Sequence, residues 1–304
     1  MPVVLRPQFS DLYGSSMLPV LEELFRLEYE QAPMIRDRIF KMVSHDRDIW
    51  QASELHDLPL FNEMAEGEDY SYVSPKQGYD KTLSMVKFGL GASISEEAID
   101  DGKFDLVADI IRRMARSAKE SQEISAMNIF NNGFSSELAA DGLAVFHSAH
   151  LLPSGGTFRN RPSSYADLSV SSLETALTDF ETQFVGDSGI VYRLMPKILL
   201  VHPSNKRLAK ELIGSDLKPE TTDNNMNSFK EEGLMVVSSP RLVDTDAWFL
   251  LAPPADTGLR LISRKPIETK SDECFDNDSV KYKSRYREKI GVTHAYGIYG
   301  NSGA

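Results

Sequence analysis

Phe104-Asp105-Leu106-Val107-Ala108-Asp109-Ile110-Ile111-Arg112-Arg113-Met114-Ala115-Arg116-Ser117-Ala118, running on to Asn131, governs how the rest of the chain is read. Phe104, Val107, Ile111, Met114 and Ala118 are spaced 3, 4, 3, 4, which places them in one apolar stripe along a helix. Ser121 and Ser125 continue the stripe with side chains small enough for close packing. A helix over 104–131 is about 42 Å long at ~1.5 Å per residue. It is far longer than the average of roughly 11–12 residues, as expected of a spine on which other elements lean. Gly133, after Asn131-Asn132, is placed to end it as a C-terminal cap.

Upstream, residues 1–60 read as an arm, with prolines at 2, 7, 19, 33 and 59. One helix is expected from Leu18 to Tyr29, where Leu21, Leu24, Phe25 and Glu28 follow helical spacing. A lone helix of that length is marginal in water, so it needs a partner, and another copy of the chain is a candidate. Residues 62–92 read as a two-stranded excursion. Tyr70 and Tyr72 alternate with Ser71, Ser74 to Gly78 is turn chemistry, and Thr82 to Phe88 alternates again. An isolated hairpin is barely stable, so this one must lie on a body, which a neighbouring subunit could supply. Ser95, with Glu96 and Glu97, reads as the cap of a short turn before the spine.

Downstream, 134–165 is rich in Gly, Ser and Pro and reads as loop, and 171–185 is helical. Lys197 to Val201 is a buried strand, and Pro203 opens a helix through Leu208, Leu212 and Ile213 that stops at Gly214. A polar loop covers 215–229. Strands follow at Leu234–Val237, Ala247–Leu251 and Leu259–Ile262, and Val280–Tyr296 closes the chain as a strand pair with Gly291 as its turn or bulge.

Composition narrows the function. The 304 residues are 41% hydrophobic and 26% charged, ordinary for a globular chain of one large or two smaller domains. No run reaches the ~18 apolar residues of a membrane span. Met1-Pro2-Val3-Val4-Leu5-Arg6-Pro7 has prolines where a signal peptide needs a continuous apolar segment, so folding in a cytoplasm is expected. Cys274 is the single cysteine, which excludes an intrachain disulfide. The net charge of −12 opposes tight DNA binding, which rests on neutralised phosphates. The densest basic stretches, Arg112-Arg113 with Arg116 and Lys281 to Lys289, read as solvated faces of regular structure.

No constellation supports catalysis, a cofactor or a metal. His147 and His150 lie in loop-like sequence without a third ligand nearby, and are read as hydrogen-bonded loop histidines. Asp272-Glu273 and Asp276-Asn277-Asp278 lack the glycine and closing glutamate of a calcium loop, so a charged turn is expected. Gly89-Leu90-Gly91 lacks the third glycine of a dinucleotide fingerprint, and Tyr13-Gly14-Ser15-Ser16 is no nucleophile elbow.

Four stretches carry a resemblance. They are Gly89 to Gly102, Asn128 to Phe134, Pro196 to Pro203 with Ala247 to Leu250, and, most specifically, Asp141-Gly142-Leu143-Ala144-Val145-Phe146-His147-Ser148-Ala149-His150 followed by Ser154 to Thr157 and Asn160. In their chain order they resemble the major capsid proteins of tailed bacteriophages, with the Hong Kong 97-type fold. The resemblance implies an α+β chain with an N-terminal arm (1–60), an extended β-hairpin loop (61–92), a peripheral domain with the spine helix (93–185, with return strands 263–304) and an axial domain (186–262). It implies a structural protein and not an enzyme. Such a protein self-assembles into hexamers and pentamers of an icosahedral head in the virion, enclosing double-stranded DNA without reading its sequence.

The extended loop is expected to meet a neighbouring subunit through Glu68, Asp69, Tyr70, Tyr72, Lys76 and Lys81. The sequence has no long charged segment ahead of the arm, so a separate scaffolding protein is an expected partner during assembly in the host cytoplasm. A portal and a decoration protein are further partners of such a shell. One branch of the family cross-links Lys to Asn. Lys76, Lys81, Asn277 and Asn301 do not match that pattern, so a noncovalent shell is expected. The alternatives are an encapsulin-like nanocompartment of the same fold and a cytoplasmic α+β enzyme.

Overall fold

The structure is a computed structural model and describes residues 17–31, 33–55, 57–67, 69–70, 72–74, 77–95, 104–215, 227–274 and 279–304. In chain order the elements begin with α1 (Met17–Glu30), α2 (Arg36–Ile39), β1 (Lys41–Ser44), β2 (Ile49–Leu55), β3 (Gln77–Ser84), β4 (Val86–Ser95) and the long helix α3 (Phe104–Asn131). Next come β5 (His150–Leu151), β6 (Thr157–Phe158), α4 (Val170–Thr182), β7 (Ile198–Val201) and α5 (Lys206–Gly214). The chain closes with β8 (Met235–Ser238), β9 (Trp248–Leu251), β10 (Leu259–Cys274), β11 (Ser279–Val292) and β12 (Ile298–Asn301). It divides into two compact units, one of 1–34, 85–123 and 263–288, the other of 35–84, 124–262 and 289–304.

In the first unit Val107, Ile111 and Met114 of the predicted stripe are buried and Ala118 partly so, while the side chain of Phe104 lies outside the described residues. Val107, Ile111, Met114 and Ala115 pack with Leu21 and Phe25 of α1, Ile94 of β4 and Tyr282 of β11. The spine helix of its own chain is therefore a partner of α1. Polar contacts fix that docking: Arg116 Nε donates to Glu28 at 2.7 Å, and the Lys119 ammonium to the Tyr29 carbonyl at 2.8 Å. The Tyr29 hydroxyl donates to the buried Gln122 at 2.6 Å.

The second unit holds two further cores. A four-stranded sheet in the order β12-β9-β7-β8 lies between them, and its central strands β7 and β9 are buried at every residue. Strand residues alternate between faces. Ile198, Leu200, Phe249 and Leu251 therefore enter one core with the end of α3, while Leu199, Val201, Trp248 and Leu250 enter the other with α4 and α5. Helix α4 starts at a capping box in which Ser169 and Ser172 bond each other's backbone amides.

At the first core sits Phe146, fully buried among Phe130, Phe134 and Phe249 with ring centroids 4.9–6.4 Å apart. A Cβ at Gly133 would lie 2.7 Å from this ring, and one at Gly300 also 2.7 Å. Gly133 was expected as the C-terminal cap of the spine, a place where glycine often has positive φ. It is not among the glycines of positive φ, and its missing side chain serves ring packing instead. The loop carrying Phe146 is held by Asn160, wholly buried, whose Oδ1 accepts from the His147 amide at 2.8 Å. Its Nδ2 donates to the Val145 carbonyl at 2.7 Å.

Two strand expectations need correction. Val280–Tyr296 is not a strand pair: β11 runs unbroken through Gly291, and its neighbours are β10 and β4, in the order β1-β10-β11-β4. Gly291 is no turn, because it lies within β11, and a Cβ there would meet Leu83 at 2.7 Å. The hairpin expected within 62–92 is also built from other segments. Its first strand is β2, from the stretch read as arm, and Thr82 to Phe88 is divided at Met85 between β3, paired with β2, and β4, paired with β11. Among the described residues around Tyr70 and Tyr72 no regular structure occurs. The turn expected at Glu96-Glu97 lies outside the described residues.

Gly133→Ala should destabilise the protein by about 1–3 kcal/mol through overpacking, and Phe146→Ala by about 3–5 kcal/mol through the cavity it leaves. Urea denaturation midpoints measure both. A Gly133→Ala protein as stable as wild type would show that the ring contact is dispensable.

Candidate assembly surface

The hairpin begins where β2 and β3 pair antiparallel, from Ile49 opposite Ser84 to Leu55 opposite Gln77, with a bulge between Ser53 and Leu55. Along β2, Trp50, Ala52 and Glu54 are half-buried and the residues between them exposed, so one face of the ribbon rests on the unit that carries it. Lys81 rests there too. Its ammonium donates to the carbonyls of Leu138 at 2.8 Å and Ala139 at 3.4 Å. Burial lowers its pKa, the nearby Glu137 and Asp141 carboxylates oppose that, and Lys289 adds to it.

Between the strands the chain turns outward. Leu58, Leu60, Phe61, Met64, Tyr70, Tyr72 and Val73 are all exposed, Phe61 completely and Tyr72 at 93%. Scattered exposed apolar residues are normal, but a run of them on one excursion marks an interaction surface. Asp69 is exposed beside them. Of the residues expected to meet a neighbour, the structure thus gathers Asp69, Tyr70 and Tyr72 on the excursion and sets Lys81 at its base. Glu68 and Lys76 lie outside the described residues.

At the foot of the excursion is an anchor that the sequence did not reveal. The Asp57 carboxylate accepts from the Tyr192 hydroxyl in a short hydrogen bond and from the Asp187 amide at 3.1 Å. Gly186 permits this approach, since any Cβ there would collide with Asp57 and Tyr192. Burial, and then the Asp57 carboxylate, raise the pKa of Tyr192. On β2, Glu54 is pushed up to about 7, by burial first and then by the carboxylates of Asp141 and Asp57. These groups are distant in sequence, so only the folded chain shows that the base of the excursion is acidic and partly dry.

His147 lies in the adjoining loop and His150 opens strand β5. His150 is buried, its Nδ1 at 2.7 Å from Asp141 Oδ2 and its Nε2 at 3.2 Å from the Val145 carbonyl. The His147 Nδ1 accepts from the Ala149 amide at 3.1 Å. Burial by itself would raise the Asp141 pKa. The bond and charge of His150 and the amides of Leu143 and Leu151 outweigh it, so the group stays below the ordinary carboxylate value. Both histidines are engaged in hydrogen bonds, as the sequence reading expected, but His150 lies on β5 and not in a loop.

The raised pKa of Glu54 fixes a pH dependence. A carboxyl whose folded pKa exceeds its unfolded value keeps its full contribution below the unfolded pKa of 4.5 and loses it as pH rises through about 7. Glu54→Gln should therefore raise the melting temperature at pH 8 and leave it unchanged at pH 4. Thermal melts at the two pH values check this, and an equal shift at both would refute the assignment.

The comparisons with known proteins agree with this architecture. A family model described as phage capsid protein matches residues 78–301. No curated protein matches the chain in sequence. Among solved structures, the capsid of Cyanophage P-SCSP1u is similar at 9% identity and a TM-score of 0.60, over 90% of this chain and 88% of that one. Microbacterium phage Oxtober96 is similar at 12% identity and a TM-score of 0.57, over 90% and 92% of the two chains. A virus-like particle from Pyrococcus furiosus is similar at 11% identity and a TM-score of 0.56, over 94% and 99%. At such identities these structures establish the fold, which is of the Hong Kong 97 type. The family match covers most of the chain and marks it as a structural shell component and not an enzyme. This chain belongs to the phage capsid protein family.

Proposed function

We propose that this protein is the major head subunit that closes, as hexamers and pentamers, into an icosahedral shell around double-stranded DNA, with the excursion over 57–74 as the clasp on a neighbouring copy. The run of exposed apolar side chains from Leu58 to Val73 supports the reading, because no described residue of its own unit buries them. Burying such surface yields roughly 25 cal/mol per Å², and a closed shell repeats that contact at every subunit. Asp69, Tyr70 and Tyr72 belong to this contact in the proposal, with Glu68 and Lys76, while Lys81 steadies the base of the clasp from within.

The proposal keeps an arm, a clasp, a peripheral domain carrying α3 and an axial domain built on the β12-β9-β7-β8 sheet. It keeps a separate scaffolding protein, a portal, a decoration protein and assembly in the host cytoplasm. The family match supports a phage head over a nanocompartment of the same fold. Asn301 supports a noncovalent shell: it is buried, and its Oδ1 accepts from the amides of Ala166 and Gly303 at 3.1 Å each.

Leu55 and Gln77 are paired neighbours, so a short Gly-Ser turn can replace 58–73. The variant should stay soluble, with a melting temperature within a few degrees of wild type, and should form no closed particles when co-expressed with its scaffold. Electron microscopy reads the outcome, and closed shells from the variant would defeat the clasp. Boiled wild-type particles should run as one band near 34.0 kDa on a denaturing gel. A ladder of multimers would instead establish covalent links.

A further inference from the structure

Among the described residues Arg26, Arg113, Arg116, Arg159, Arg207 and Arg285 each hold a carboxylate within 3.3 Å. Arg260 is half-buried and bonds backbone carbonyls instead. It sits between Leu259 and Leu261, both fully buried in the first core, so alternation along β10 turns it to the other side of the strand. There its Nη1 donates to the carbonyls of Thr257 at 2.6 Å and Leu259 at 3.2 Å. Two carbonyls of the adjoining backbone thus fix the orientation of the planar group. Its Nε and Nη2 have no hydrogen bond among the described residues, and neither nitrogen is buried, so this edge of the fork opens to solvent.

The surroundings supply no anion. Burial lowers the pKa of Arg260, and no carboxylate opposes that shift. Its neighbour is His294, whose backbone lies so close to Gly258 that no Cβ fits there. The His294 Nδ1 is buried without a partner, and burial, then the charge of Arg260, push the pKa down to about 4. The ring is therefore neutral near pH 7, which leaves the guanidinium as the charge that a ligand meets. A fork fixed by backbone, with one edge open, is pre-organised for bidentate bonding to a carboxylate. Nucleic acid is gripped by several cations at once, and a neutral histidine adds none to this one. Free carboxylates occur on the excursion: Glu63, Glu66 and Asp69 are exposed and bond no described residue. They alternate with the exposed Phe61, Met64 and Tyr70, whose burial on a neighbour would exclude water and strengthen an ion pair formed beside them.

We infer that the open edge of Arg260 is the seat for a carboxylate of a neighbouring copy, supplied by Glu63, Glu66 or Asp69 of that copy's excursion. The apolar side chains of the excursion carry the area of the contact, and the fork fixes its register, because a bidentate pair forms in one geometry. The inference rests on the reading of the excursion as a clasp and adds the side chain that receives it.

The test titrates a fluorescein-labelled peptide of residues 57–74 against the unassembled full-length subunit, followed by anisotropy. The peptide should bind, and Arg260→Gln should weaken binding about tenfold, as expected for loss of a hydrogen-bonded charge pair. A peptide with Glu63→Gln, Glu66→Gln and Asp69→Gln should bind the wild-type subunit about tenfold more weakly as well. On the Arg260→Gln subunit the two peptides should bind alike, because both changes remove one pair. Arg260→Lys keeps the charge without the fork, should recover only part of the loss, and replaces the glutamine variant if that one melts early. In assembly, Arg260→Glu should abolish closed shells, and Glu63→Lys, Glu66→Lys or Asp69→Lys added to it should restore them and name the partner. Absent peptide binding, equal binding of both peptides to wild type, or an undiminished difference between them on Arg260→Gln would each overturn the inference. Free glutamate displacing the peptide at equal concentration would also overturn it, by making this a site for small anions. Shells that form as well with Arg260→Glu as with wild type would sink this inference alone. Subunits that bind the peptide through Arg260 yet never build shells would sink only the function on which it rests.

Discussion

The ring of Phe146 sits against two backbones that carry no side chain. Gly133 follows the end of α3, and Gly300 lies on β12, the last strand of the chain. Either position with a Cβ would drive the ring out of a space shared with Phe130, Phe134 and Phe249. Interiors pack as densely as organic crystals, so a displacement of that size cannot be absorbed locally. The contact therefore locks the C-terminal end of the spine helix to the edge of the β12-β9-β7-β8 sheet. Asn160 extends the lock by bonding the backbone on both sides of Phe146 and accepting the Gly300 amide on its carbonyl. This gives a physical reason for the run from Asp141 to Asn160, whose function is to hold one ring and the loop around it.

A rigid body of this kind can project a segment that has no core of its own. The β2–β3 ribbon is held at its foot by Asp57 on Tyr192 and Asp187 and by Lys81 on two carbonyls. Beyond that foot the chain exposes rings and aliphatic chains to solvent. The arrangement is costly for a lone subunit and useful for one that meets its copies. The acidic, half-dry foot, with Glu54 titrating near neutrality, places a charge-sensitive joint where the projecting segment leaves the body.

What the sequence determined by itself was local. The spine helix, α1, α4 and α5 were legible because a helix writes its burial every three to four residues. The strands β7 and β9 were legible because buried strands are short continuous apolar runs. The family was legible because Asp141 to Asn160 encodes one dense packing arrangement. Tyr70 and Tyr72 were recognisable as ring-bearing residues in a stretch with no core to enter. What only the tertiary structure decided was pairing and proximity. Thr82 to Phe88 alternates smoothly, yet at Met85 it changes partner from β2 to β11, and no local signal marks the change. Gly133 and Gly291 read as a cap and a turn or bulge, since a sequence shows what a glycine permits and not which ring or methyl needs its missing side chain. Glu54 and Asp57 carried no signal, because their character comes from burial and from Asp141, Asp187 and Tyr192, far along the chain. Period and composition are set by neighbours in sequence. Register, close approach and local dielectric are set by neighbours in space, and those exist only once the chain has folded.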